Sequence, residues 1–386
     1  MSPRVALVLE TWNLAATLER VAPGTSGMTT DVRRIAAPLA EQLTHLAPQL
    51  AGTAVELVIT HAGIPVADQA ALGVRFDRVG QPVRWITVPS TAGYYEHKTL
   101  GFAATAADVV AFLDGDTVPV AGWLAAITTP LVRGEARVVA GATSYAGDLG
   151  VLANALDFPY FDPANRRFAT GDRRPRGASE PRHVQNLMSN NVAFARDVLS
   201  AHPFPFVPTV FHGQCQHLAL ELRAAGIAIS YVPEAHVTHA WPDDLAHWLA
   251  VRLLKGADFA SLLPRIAATH APRFAPAVAR LGAAPVVALI AARGLLAIPA
   301  ALRTTSRLKS LGRLAALTAV DAAGAIARRR VYARYGLTRS GPGASQSGHF
   351  WVTVAASQDS QANATMWWPG SPNSASAVGL GRSPSA

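Results

Sequence analysis

Cysteine is nearly absent from this sequence: Cys215 stands alone among 386 residues. An internal disulfide framework is therefore excluded, and a reducing compartment is expected. Charge is also sparse, at 15% of residues, while half the chain is apolar. That composition excludes a highly charged disordered protein over most of the length and allows a sizeable core. A signal-peptide core is missing as well. The N-terminal apolar run Val5–Leu9 stops at Glu10, too short for secretion. Long uninterrupted hydrophobic runs are lacking too. The stretch 281–292, "LGAAPVVALIAA", meets Arg293, and "GLLAIPAAL" behind it carries Pro299. A clean membrane span needs roughly 20 apolar residues, so none is expected there. Acidic residues are scarce in one place above all. Between 303 and 339 nine Lys and Arg face Asp321 alone, a net of +8 out of the chain's +9.

What is present falls into three zones. Residues 1–250 alternate short β-branched runs with Ala- and Leu-rich amphipathic stretches, which predicts β-α units around a mostly parallel sheet. Expected strands are Val5–Leu9, Val55–Ile59, Val83–Val88, Val109–Leu113, Arg137–Gly141, Val192–Ala195 and Ala228–Val232. Expected helices cover about 31–50, 90–107, 120–132 and 214–225. Residues 251–340 read as a basic, apolar helical region. It fits either a hydrophobic helix packed on the first domain or an interfacial helix or shallow hairpin. The clustered charge favours the second, because anionic lipid gives it something to bind. Residues 341–386 are dominated by small and polar side chains and predict a disordered tail.

The run "VVAFLDGD" brings Asp114 and Asp116 to the end of a buried strand. Parallel sheets place ligands at their carboxyl edges. Alternate residues of an extended chain face the same way, so both carboxylates can address one hard divalent cation. The plainer alternative is an acidic loop capping the helix that begins near Val120.

The context resembles the family 2-type glycosyltransferases of the GT-A fold, a Rossmann-like sheet flanked by helices. "GYYEHKTLGFAATAADVVAFLDGD" matches the family's order of Gly, Lys-x-x-Gly, helix and D-x-D strand, through Lys98, Gly101, Asp114 and Asp116. "VALVLETWN" resembles the opening strand and nucleotide loop, with Glu10 and Asn13 on the donor side. "SNNVAFARDVL" resembles the acceptor-side strand, with Asn191 and Phe194 in register. "LALELRAAGIAISYVPEAHVTH" resembles the segment that ends in a metal- or phosphate-binding His, here His239; the pair His236-x-x-His239 fits a structural role equally well. "HAWPDDLAHWL" resembles the closing segment and puts Trp241 on the acceptor side. The match spans about residues 4–255.

The resemblance implies transfer of a sugar from a nucleoside-diphosphate donor to a hydroxyl acceptor, of lipid-linked or polysaccharide-precursor type. Mn2+ or Mg2+ held by Asp114, Asp116 and His239 would neutralise the departing diphosphate, and Lys98 would add a fixed charge nearby. It implies an inverting displacement. The +8 helical region adds work at the cytoplasmic face of the cell membrane, with an anionic lipid surface as partner. Its interleaved Ala and Leu with few aromatics point to lipid and to no nucleic acid.

Two positions depart from the pattern. Thr60 and His61 stand where a base-pairing carboxylate is expected, leaving His61 as its replacement on the donor side. Gln214-Cys215 replace the family's Glu-Asp, whose Asp takes the acceptor proton. Cys215 is a poor substitute, whereas His212 and His217 lie close by and histidine is a competent base near neutral pH; His212 is preferred. The loss of the carboxylate also admits a non-catalytic module that binds a nucleotide sugar. A nucleotidyltransferase fits less well, since no Gly-rich basic loop follows the first strand.

Overall fold

In the computed structural model, described residues are 3–11, 32–77, 82–89, 92–145, 152, 182–184, 187–205, 210, 213–239 and 245–334, with the short stretches 352–354 and 364–366. Two apolar runs form the centre of the main sheet. Strand β1 (Val5–Glu10) pairs in parallel with β4 (Val109–Asp114), Val5 opposite Val109 and Glu10 opposite Asp114. Burial along nearly their whole length is the mark of interior parallel strands. On the other side of β1 lie β2 (Glu56–His61) and then β3 (Val83–Thr87), both parallel. Helices α1 (Val32–Leu50), α2 (Val66–Asp77) and α3 (Tyr94–Ala103) connect these strands. The chain thus builds outward from β1 to β3 and then returns to place β4 on the opposite flank of β1. That reversal between β1 and β4 is a topological switch point.

Beyond β4 come β8 (Asn191–Ala195), antiparallel to it, and β6 (Val138–Tyr145), antiparallel to β8. Strand β9 (Ile229–His239) runs parallel to β6, while β5 (Thr117–Pro119) and β7 (Arg182–Val184) run antiparallel to β9. Six of the nine strands therefore share one direction, as the mostly parallel expectation required. All seven strands expected from sequence are present. Helix α2, helix α5 (Arg196–Ala201) and the short strands β5 and β7 were not foreseen. Nor was the length of β9, because "VPEAH" carries a Pro and a Glu and reads as loop. Its ladder with β6 skips from Val232 to His236, and Pro233 sits in the resulting bulge.

Alternation along the strands divides the core into two layers. Val110 and Phe112 face one side with Ala6, Val8, Tyr95 and Phe102 of α3, and Leu218 and Leu222 of α6 (Gln214–Ala224). Val109, Ala111 and Leu113 face the other. There Leu39, Leu43, Leu46 and Leu50 form the apolar stripe of α1, next to Trp123 and Ile127 of α4 (Trp123–Val132).

The C-terminal helices are α7 (Leu245–His270), α8 (Ala275–Leu281), α9 (Ala284–Leu302), α10 (Arg307–Ile326) and α11 (Arg328–Arg334). Close approach of α7 and α10 needs glycine. A Cβ on Gly256 would overlap the carbonyl of Asp321, and one on Gly324 the carbonyl of Leu253. Between them Arg252 forms a buried two-pronged ion pair with Asp321, Nε to Oδ1 at 2.7 Å. Helix α7 also meets the first layer: Leu262 and Ile266 pack on Val210 and Leu220.

Arg293 and Pro299, which argue against a clean span in the sequence, do not interrupt the helix. Helix α9 runs through both, and it is long and apolar enough to cross a membrane, with a mean hydropathy of 2.0. One face, Val286, Ile290, Gly294, Ala297 and Ala301, is nevertheless buried. Arg293 is accommodated because its guanidinium lies over the Phe259 ring, 5.9 Å from the centroid. The opposite face leaves Leu295 and Leu296 exposed. Residues Met1–Thr338 form one unit and Arg339–Ala386 another. In the second, Val352–Val354 pairs antiparallel with Ala364–Met366; the remainder of the expected disordered tail lies outside the described residues.

Candidate metal and donor site

The carboxyl ends of β1 and β4 meet at the switch point, and Glu10 and Asp114 stand side by side there. The chain then turns sharply. The Gly115 N–H donates to the carbonyl of Glu10 at 2.7 Å. A Cβ at Gly115 would lie 2.9 Å from that oxygen and 3.5 Å from the Cα of Thr11, so this contact needs glycine. After the turn, β5 pairs with the end of β9, Thr117 opposite His239. That pairing carries the imidazole to the two aspartates. Ligand atoms of Asp114, Asp116 and His239 all lie within 4.8 Å of one another.

The separations decide what this cluster is. His239 Nε2 is 3.9 Å from Asp114 Oδ2 and 3.7 Å from Asp116 Oδ1, too long for hydrogen bonds. Oxygens on an octahedral ion at 2.0–2.1 Å are about 3 Å apart, so a small inward movement brings all three onto one ion. Two carboxylates and an imidazole suit a hard or borderline divalent cation. Asp116 is partly exposed, yet desolvation, aided by the Asp114 charge, pushes its carboxyl above the usual range against the pull of His239 and Lys98. A cation would relieve that crowding.

Asp114 is held from behind by α3. Lys98 Nζ sits 2.7 Å from Asp114 Oδ1 and is fully buried. The Tyr94 hydroxyl donates to the same carboxylate, 2.8 Å from Oδ2, and lies 3.0 Å from Ser189 Oγ. Lys98 and Tyr94 are one helical turn apart, so they share a face, and the ammonium lies 4.7 Å from the ring centroid. Burial, then the charges of Asp114 and Glu10, raises the Tyr94 phenol well above its ordinary value and keeps it a donor. Lys98 was expected beside the diphosphate; being buried, it orders Asp114 instead. Tyr94 and Ser189 were not singled out from sequence, although the i, i+4 spacing of Tyr94 and Lys98 was there to be used.

The other expected residues separate from this group. His61 accepts the Ile64 N–H at Nδ1 (3.1 Å), and its Nε2 faces Thr87 Oγ1 at 3.4 Å. Burial lowers its pKa, so it is a neutral ring serving the end of β2 rather than an acceptor offered to a base. Asn191 is fully buried. It donates to the carbonyls of Ala142 and Ala235, both at 2.8 Å, and accepts the Trp123 indole N–H at 2.9 Å. It pins β8 to its neighbours and cannot touch an acceptor. His236 pairs with Ser144 at 2.7 Å, the structural alternative. On α6, burial pushes the Cys215 thiol up, the wrong direction for a base, and His217 binds Glu221 at 2.8 Å. Asn13, His212 and Trp241 lie outside the described residues.

Fold and site together define an α/β domain with an acidic and imidazole cluster at its switch point. No protein-family model matches the chain, and no curated protein does. Solved structures do resemble it. The mannosyltransferase PcManGT from Pyrobaculum calidifontis, in complex with GDP-Man and Mn2+, is similar over 85% of this chain and 88% of its own, at 14% identity and a TM-score of 0.47. Glucosyl-3-phosphoglycerate synthase from Mycobacterium tuberculosis, in complex with Mn2+, UDP and phosphoglyceric acid, is similar over 68% of this chain and 78% of its own, at 21% identity and a TM-score of 0.40. These likenesses are distant and assign no residue.

Proposed function

We propose that this chain is a divalent-metal-dependent glycosyltransferase that moves a sugar from a nucleoside-diphosphate donor to a hydroxyl acceptor. The observation that carries the reading is the convergence of Asp114, Asp116 and His239 at the switch point between β1 and β4. That is where open α/β sheets bind nucleotides. Mn2+ or Mg2+ bound there supplies positive charge against the diphosphate that leaves. The chain's own residues do the rest: Asp116 and His239 offer donors to the ion, while Lys98 and Tyr94 hold the Asp114 carboxylate in place. Asp116→Asn should abolish Mn2+-dependent binding of nucleoside diphosphates in calorimetry with the fold intact; equal affinity with and without EDTA in the parent protein would sink the reading.

An inverting displacement with His212 taking the acceptor proton remains our assignment for the chemical step. Its check is a loss of about 10²–10⁴-fold in turnover in His212→Ala with donor binding retained. A second reading, a nucleotide-sugar-binding module without catalysis, is favoured by one observation: the start of α6 carries a raised thiol and a histidine already bound to Glu221. Donor hydrolysis or transfer by the purified protein rules it out.

Work at the cytoplasmic membrane face completes the proposal. Phe274, Leu281, Leu295, Leu296, Leu302, Leu308 and Ile326 are exposed on the helical region, within and beside the stretch holding the +8 charge. Apolar side chains beside clustered arginines suit an anionic lipid surface. Leu295→Ser combined with Leu296→Ser should reduce sedimentation with anionic liposomes, and unchanged sedimentation would remove the membrane from the reading.

A further inference from the structure

We infer that Gln42, on α1, is a positioning residue for the Asp114–Asp116 turn, an inference that rests on the metal reading above. Its side chain is fully buried beside the leucine stripe of α1 that Leu39, Leu43 and Leu46 form. Packing alone would place an apolar residue there, because burying an amide is unfavourable unless it is hydrogen-bonded. Gln42 Nε2 donates to the carbonyl of Asp114 at 2.6 Å and to Thr117 Oγ1 at 3.1 Å. Thr117, itself buried, donates its hydroxyl to the same carbonyl at 2.8 Å. The three groups close a triangle across the turn that carries both carboxylates.

Gln42 acts where the sheet stops. The ladder between β4 and β8 ends at Leu113 opposite Asn191, and the Asp114 carbonyl receives its hydrogen bonds from Gln42 and Thr117. The amide oxygen, Gln42 Oε1, is buried without a hydrogen-bond partner among the described residues. An unsatisfied carbonyl is destabilising, so the residue is poorly explained by stability and well explained by the direction of its two donated bonds.

The same helix supplies a control. Gln49, seven residues on and so on the same face, donates to the Val120 carbonyl at 3.0 Å and accepts the Leu124 N–H at 3.0 Å. It grips the far end of the segment, away from the turn. Gln49 is part-exposed and has both ends of its amide bonded, so it marks what a glutamine of this face does when it serves packing alone.

The test uses the full-length protein and Mn2+ alone. Gln42→Met keeps the volume and removes the donor. It should weaken Mn2+ about 10-fold or more in calorimetric titration, as loss of a group that orients metal ligands does, and broaden the electron paramagnetic resonance spectrum of the bound ion. Gln49→Met should lower the melting temperature with Mn2+ affinity unchanged. Thr117→Val opens the triangle from its other corner and should weaken Mn2+ in the same sense, which keeps the idea testable if Gln42→Met does not fold. Parent-like Mn2+ affinity in folded Gln42→Met, or in Thr117→Val where the former does not fold, overturns the inference alone. Failure of the parent protein to bind Mn2+ overturns the metal reading, and this inference with it.

Discussion

Replacing Lys98 by Met separates a structural cation from a substrate-binding one. Lys98 is fully buried, 2.7 Å from a carboxylate whose side chain is only 9% exposed. Removing one member of such a pair leaves an uncompensated charge, typically at about 3–5 kcal/mol. The Tyr94 hydroxyl still donates to Asp114, so the lower end, about 3 kcal/mol, is expected. For a chain of 386 residues, whose unfolding entropy is about 2.1 cal/mol/K per residue, that lowers the melting temperature by about 4 °C, read in EDTA by calorimetry. Mn2+ at about 100 times its Kd returns about 2.7 kcal/mol and so recovers most of the loss, because the ion supplies the positive charge that Asp114 has lost. The parent protein gains from Mn2+ too, but starts with that carboxylate already neutralised, so its gain at the same Mn2+ concentration should be no larger. A Lys98→Met protein as stable as the parent in EDTA would refute the buried-pair argument. Loss of donor binding without loss of stability would return Lys98 to the diphosphate.

Three further outcomes follow from the packing. Gly115→Ala forces a Cβ to 2.9 Å from the Glu10 carbonyl; it should cost about 1–3 kcal/mol in urea denaturation and weaken Mn2+ binding together, since the same turn carries both aspartates. Asn191→Ala leaves the Ala142 and Ala235 carbonyls and the Trp123 indole N–H without that side chain. It should destabilise by about 3 kcal/mol or more, while folded protein keeps parent-like Mn2+ affinity. At Glu221, the His217 hydrogen bond outweighs burial and, with the charges of His217 and Arg265, holds the carboxyl below its ordinary range. A depressed carboxylate contributes stability above its unfolded value, about 4.3, and loses it as pH falls through the lower folded value. The stability difference between parent and Glu221→Gln should therefore shrink as urea midpoints are followed from about pH 6 to pH 3.

The strand skeleton and the aspartate pair were legible because each rests on a local rule. Val5–Leu9 and Val109–Leu113 are continuous apolar runs, and such runs in a β-α chain are interior parallel strands. Their partnership puts Asp114 at the sheet edge whatever the loops do. His239 was legible only by resemblance, since its arrival at the aspartates depends on β5, a three-residue strand with no sequence signature of its own. Gln42 was not legible at all, and Tyr94 only through its i, i+4 spacing to Lys98: their importance lies in contacts made 72 and 20 residues away along the chain.

His61, Asn191 and Lys98 share a different lesson. Each occupies a position where the resemblance implies contact with a ligand; His61 and Asn191 stand at strand ends, and Lys98 reaches from α3 to the end of β4. Motif position says only that a polar group is wanted there. Whether it meets ligand or protein is decided by the hydrogen-bonding capacity its neighbours leave it. Asn191 gives both N–H groups to carbonyls of β6 and β9, and Gly141 is the residue that makes room, since a Cβ there would overlap the Asn191 amide. His61 has both ring nitrogens turned to Ile64 and Thr87. Asp116 shows the opposite condition: partly exposed, raised by desolvation, and facing an imidazole too distant to bond. Buried polar groups that are satisfied build the frame, and crowded ones facing solvent mark the place where a cation completes it.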